Sequence, residues 1–164
     1  VTSDSDGEVP VHVRPLVLEA VDRLGEIIQV DRLAGSGPES AGGAGPLKEE
    51  KVAVVVVDSR TRPRMVRQLG HAVAARLGAR ALGVVGLSGQ EPPQHDVGSA
   101  FRLAQVARSL TLQGWSAQAL DELRERTVVL VDDWSDSGWT LTLAAFLLRE
   151  AGAEAVHPFV LAQR

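Results

Sequence analysis

The chain has 164 residues, 45% of them hydrophobic and 23% charged, which suits one soluble globular domain with one core. A net charge of −4 argues against a large nucleic-acid footprint on this segment. The absence of cysteine excludes a disulfide framework or thiolate metal site, and no apolar run reaches the roughly 18 residues of a membrane span.

Val1 to Gly7 is polar and acidic and does not read as a signal peptide, so the expected compartment is the cytoplasm. The first residue is not Met, which suggests an excised fragment or a processed chain. Residues 1–14 are expected to form a disordered lead-in, with a single domain over 15–164. From Pro15 to Leu33 the apolar residues Leu16, Val17, Ala20, Val21, Leu24, Ile27 and Ile28 recur at helical spacing, which predicts an amphipathic helix able to cover a sheet face. Ala34 to Pro46 is rich in Gly, Ser, Ala and Pro and reads as a flexible loop. Leu47 to Lys51 is a charged, solvated turn.

Val52 to Val57 is all Val and Ala, as in a central strand covered on both faces. Ser59-Arg60-Thr61-Arg62 follows. Pro63 suits the first turn of a helix that continues through Leu77, with Gly78 as its left-handed stop. Ala81 to Leu87 is the second strand; the spacing is that of a βαβ unit of about 30 residues. Ser88 to Gly98 is a loop, Ala100 to Leu110 a helix, and Leu110 to Leu112 a short strand. Gln113 to Arg126 holds a turn and a short helix. Val128 to Val131 is a buried strand, Leu141 to Ala151 a helix capped by Gly152, and Val156 to Ala162 the last strand. Alternating strands and helices predict an α/β fold: a Rossmann-like three-layer α/β/α sandwich on a mostly parallel five-stranded sheet. Right-handed crossovers bring the turns after Val57, Leu87 and Val131 to one edge.

The chemistry concentrates after Val131. Asp132 and Asp133 follow the strand, and Trp134-Ser135-Asp136-Ser137-Gly138-Trp139-Thr140 makes the turn into the next helix. Open parallel sheets bind ligands at such strand-to-helix turns. Backbone N–H groups at the helix start, with the Ser137 and Thr140 hydroxyls, suit a phosphate, and the carboxylates suit sugar hydroxyls or magnesium. Together these describe a ribose 5-phosphate. Adjacent strand residues point to opposite sides, so Asp132 and Asp133 need not share one task.

The apolar strand, acidic pair and Asp136-Ser137-Gly138-Trp139-Thr140 turn resemble the phosphoribosyl pyrophosphate (PRPP) motif of type I phosphoribosyltransferases. The resemblance implies the fold given above with a reduced hood, little chain being left after the last core strand. It implies that Asp132 and Asp133 contact the ribose 2- and 3-hydroxyls, directly or through magnesium-bound water, making Mg2+ the expected cofactor. Asp136 falls where purine-using members carry a general base, with Ser137 in place of Thr. Asp136, Asp132 and Asp133 are thus the catalytic candidates; Ser137, Gly138, Trp139 and Thr140 would hold the 5-phosphate. Ser59, Arg60, Thr61 and Arg62 stand where the family binds diphosphate. Either Trp134 or Trp139 could stack on a base; packing under the loop is the commoner role for the former.

In catalytic members a flexible loop carrying cationic residues closes over PRPP. Here Ser88 to Ser99 has no Lys or Arg. Two functions therefore stay open: a phosphoribosyltransferase acting on PRPP and a nucleobase, or a module that senses PRPP or a nucleoside monophosphate. Ser59-Arg60-Thr61-Arg62-Pro63, Gly98 to Leu103, and Asp132 to Thr140 followed by Leu147 to Ala153 are also similar to the phosphoribosyltransferase-like tail of certain bacterial RecQ-family DNA helicases. That resemblance implies a helicase module as partner in a longer parent chain. No Gly-x-x-x-x-Gly-Lys-(Ser/Thr) loop is present, so the motor is not in this sequence. A homodimer is left open.

Overall fold

The computed structural model describes residues 9–35, 51–88 and 99–164. Residues 1–8, most of the Gly-rich stretch, the charged turn up to residue 50 and the loop 89–98 lie outside the described residues.

Five strands form one sheet in the order β3-β2-β1-β4-β5. They are β1 (Val52–Val57), β2 (Arg80–Leu87), β3 (Leu110–Thr111), β4 (Thr127–Ser135) and β5 (Ala155–Gln163). β1 runs parallel to β2 and β4, β4 runs parallel to β5, and the two-residue β3 pairs antiparallel with β2. The helices are α1 (Arg14–Gly35), α2 (Pro63–Leu77), α3 (Ser99–Ser109), α4 (Ala117–Leu123) and α5 (Trp139–Glu150).

Strand alternation divides the core in two. Val52, Val54, Val56, Val129, Val131 and Phe159 face α1 and α2, meeting Val21, Ile28, Val66, Leu69 and Val73. Val55, Val57, Val85, Val128 and Leu130 face the other way, toward Leu123 of α4, Ala144 and Leu148 of α5, and Val106 of α3. The result is the expected α/β/α sandwich. β1 is buried at all six positions, as a strand with no polar residue must be to fold stably. α2 begins at Pro63 and stops at Gly78 in the left-handed conformation (φ 61°).

Two expectations change. Residues 9–14 of the expected lead-in join the fold: Val9 packs on the first core cluster, its carbonyl accepts the Arg14 Nε–H at 3.0 Å, and α1 starts at Arg14. α1 covers a sheet face as expected: Val21 and Ile28 enter the core, and Asp22 pairs with Arg76 of α2 at 2.7 Å. β4 does not fray after Val131; it runs on through Ser135, held by β5 with Asp132 beside Val160 and Ser135 beside Gln163. β5 is an edge strand with the exposed Pro158 at its middle, and β3 forms the opposite edge.

Candidate functional site

The carboxyl ends of β1, β2 and β4 share one edge of the sheet, so the turns that follow them are neighbours. The longer β4 carries both acidic residues within the paired strand. Both are buried, each 6% exposed. Continuing the alternation of Val128 to Val131, Asp132 lies on the α3/α5 side and Asp133 on the α2 side.

Their surroundings differ accordingly. Asp132 Oδ1 accepts the Asp133 backbone N–H at 2.8 Å. Burial nevertheless pushes the Asp132 carboxyl up to about 7, and the Asp133 carboxylate beside it adds to the rise. Asp133 Oδ2 stands 3.7 Å from Arg62 Nη1. Arg62 is the residue before α2, and its backbone N–H donates to Ser59 Oγ at 3.1 Å, which closes the β1–α2 turn. The Asp58 N–H donates to the Val85 carbonyl at 2.9 Å, fixing that turn against β2. Arg67 of α2 pairs with Asp58 at 3.3 Å.

At the head of α5, Gly138 adopts φ 74°, which a residue with a side chain rarely does. A Cβ there would touch nothing within 4 Å, so open space lies above the turn. The first intrahelical bond runs from the Thr142 N–H to the Gly138 carbonyl at 2.9 Å, and no side chain caps the helix. The N–H groups of Trp139, Thr140 and Leu141 precede that bond and are available to an anion.

Two adjoining cavities open on these residues. The first, about 310 Å³, is lined by Asp132, Trp134, Asp136, Ser137, Gly138, Trp139 and Thr140, with Arg164 at its side. The second, about 260 Å³, is lined by Asp58, Ser59, Arg60, Gln105, Ser109, Asp132, Asp133, Trp134 and Thr140. Asp132, Trp134 and Thr140 belong to both and join them. The structure thus brings together Asp132, Asp133, Asp136, Ser137, Gly138, Trp139, Thr140, Ser59 and Arg60. Arg62 reaches the site only through Asp133, and Thr61 lines neither cavity.

Sequence reasoning missed Arg164 and Gln105. The register places Arg164: with Gln163 beside Ser135, the next residue lies at the same strand end, and its N–H donates to the Ser135 carbonyl at 3.0 Å. Gln105 had only its place beside Val106 on an amphipathic helix.

Among the described residues no group of three or more His, Asp or Glu could cage a metal. The two carboxylates fit the other mode of magnesium binding, in which one or two acids act together with substrate oxygens and water. No helix among the described residues is long and apolar enough to cross a membrane.

The family model of the phosphoribosyl transferase domain matches residues 67–164, more than half of the chain. The chain belongs to this family. The matched stretch contains β4, the Asp136 to Thr140 turn and α5; the β1–α2 turn precedes it. No curated protein matches this chain in sequence. In structure it is similar to hypoxanthine phosphoribosyltransferase from Staphylococcus aureus (9% identity, TM-score 0.53, 90% of this chain and 63% of that one). It is also similar to the hypoxanthine phosphoribosyl transferase of Trypanosoma cruzi (11% identity, TM-score 0.53, 90% and 65%). At these identities the likeness is one of fold. The chain spans less than two thirds of either enzyme's length.

Proposed function

We propose that this phosphoribosyl transferase domain binds PRPP with magnesium and transfers its phosphoribosyl group to a nucleobase, releasing diphosphate. The observation that carries the reading is the pair of joined cavities. One is built on the uncapped start of α5, and the other lies between the acidic pair and the β1–α2 turn. The 5-phosphate would take the N–H groups of Trp139, Thr140 and Leu141 and the Ser137 and Thr140 hydroxyls. The ribose diol would lie on Asp132, and Asp133 would act through magnesium-bound water. Ser59 and Arg60 would face the diphosphate, with Arg62 beside Asp133 adding positive potential.

In the reaction, the bond from ribose C1 to the diphosphate oxygen breaks and its electron pair leaves with the diphosphate. A ring nitrogen of the base supplies the pair for the new C1–N bond, and its proton passes to Asp136. The buried carboxylates lower the energy of the positive charge that develops on the ribose. Magnesium, held by the acidic pair through water and by substrate oxygens, would neutralise the leaving diphosphate.

A second reading has one observation in its favour: Ser88 to Ser99 has no Lys or Arg to cover the diphosphate. On that reading the same pocket senses PRPP or a nucleoside monophosphate, as a cytoplasmic module beside a RecQ-type helicase. One experiment separates the two. The chain is titrated calorimetrically with PRPP, with and without magnesium, then assayed for diphosphate release with adenine, guanine, hypoxanthine, xanthine, uracil and orotate. Magnesium-dependent binding with release is expected for the enzyme, and binding without release for the sensor. Absence of binding in both conditions refutes the site.

A further inference from the structure

Among the described residues, one buried side-chain atom lacks a hydrogen-bond partner: Oε1 of Gln105. Native structures leave few such atoms unpaired, because a buried carbonyl that has lost water and gained no donor is costly. Gln105 lies on α3 and lines the second cavity with Ser109, Asp132, Asp133 and Thr140. Its neighbour Ser109 cannot serve it, since that hydroxyl donates to the Val106 carbonyl at 2.9 Å. Asp132, on the same side of the sheet, offers only acceptor oxygens when ionised, and Oδ1 already takes the Asp133 N–H. Amide carbonyl and carboxylate thus present two acceptors to one small space.

A ligand that brings two donors set close together complements it. A phosphate or diphosphate brings none when fully ionised. A vicinal diol brings two, one on each of adjacent carbons. We infer that Gln105 is a specificity-determining residue whose amide oxygen accepts a hydrogen bond from one hydroxyl of a sugar diol while Asp132 accepts from the other. The inference rests on the ribose-phosphate reading of the site and deepens it. The domain takes ribose phosphates and discriminates against deoxyribose phosphates, because a site built to bond a hydroxyl rejects the analogue that lacks it.

The test compares ribose 5-phosphate with its 2-deoxy and 3-deoxy analogues on the full chain and on Gln105→Met, which keeps length and volume but removes the acceptor. The unaltered protein should bind ribose 5-phosphate more tightly than either analogue. Gln105→Met should lose roughly tenfold on ribose 5-phosphate, the scale of one forfeited hydrogen bond, and nothing on one analogue, which then identifies the hydroxyl held. Its melting temperature without ligand should be unchanged or higher, because an unpaired buried oxygen is gone. Equal binding of all three sugars by the unaltered protein, or an equal change on all three in Gln105→Met, overturns the inference and leaves the phosphate site standing. Failure of the unaltered protein to bind any of the three overturns both.

Discussion

Arg62 Nη1 stands 3.7 Å from Asp133 Oδ2, a link between the turn after β1 and the end of β4. The Arg62 side chain is 46% exposed and that of Asp133 7%, so the pair sits at the wall between solvent and site. A half-exposed pair adds little to stability. Arg62→Gln should cost under about 1 kcal/mol of folding free energy. Its loss in PRPP affinity should be larger, about 1.5–3 kcal/mol, as for a charged group that helps hold an anion. Thermal melts and calorimetry on the same samples separate the two effects; equal losses in both would give Arg62 a purely structural role.

The acidic pair is the next test. Asp132→Asn with Asp133→Asn keeps shape and removes both charges. Magnesium-dependent PRPP binding should disappear while the melt stays cooperative. Retained affinity in the double variant would move the metal and diol elsewhere.

Asp132 also gives the folded protein a pH signature. Its carboxyl is raised from 3.8 to about 7, chiefly by burial. Between those values the folded state keeps a proton that the unfolded chain has released. Stability from this group therefore falls as pH rises from 3.8 toward 7. Asp132→Asn has no such proton, so its stability relative to the unaltered protein should grow across that window, by up to about 4 kcal/mol above it. Denaturant titrations of the ligand-free protein at pH 5 and pH 8 read the difference directly. A constant difference would contradict the raised carboxyl.

Thr140 lies where the two cavities meet. Replacing it by Val preserves bulk and removes the hydroxyl. Affinity for ribose 5-phosphate should drop by roughly 1–3 kcal/mol, the usual loss when a charged oxygen forfeits a donor. Competition binding against PRPP measures it, and an unaltered constant would take the phosphate away from the α5 start.

Where the sequence carried a strong local signal, the structure follows it residue for residue. β1 is delimited by its Val run, and α2 by Pro63 and Gly78. The end of β4 was illegible because hydrophobicity stops at Val131, whereas main-chain pairing with β5 does not depend on side-chain polarity. That difference brings Asp132 and Asp133 from a loose turn into a buried ladder, where their charges interact strongly with the surroundings. The opposite facing of the pair was readable from strand alternation. Gln105 and Arg164 were not, because they reach the site through tertiary placement of α3 and β5 and carry no motif. α1 was legible for the same reason as β1: its apolar spacing marks the face that Val21 and Ile28 bury against the sheet.

The borders of the sheet bear on how safely this chain folds. Six consecutive Val and Ala residues in β1 are the kind of segment that stacks into fibrils when exposed. In the folded protein, an incoming strand would have to dock at an edge. Pro158 removes one main-chain donor from the middle of β5, and β3 offers a template only two residues long. A neighbour growing along β5 would meet no amide donor at Pro158, which disfavours continuous ribbon growth there. One ring in an outer strand thus acts as a guard against self-association for the valine-rich centre two strands away.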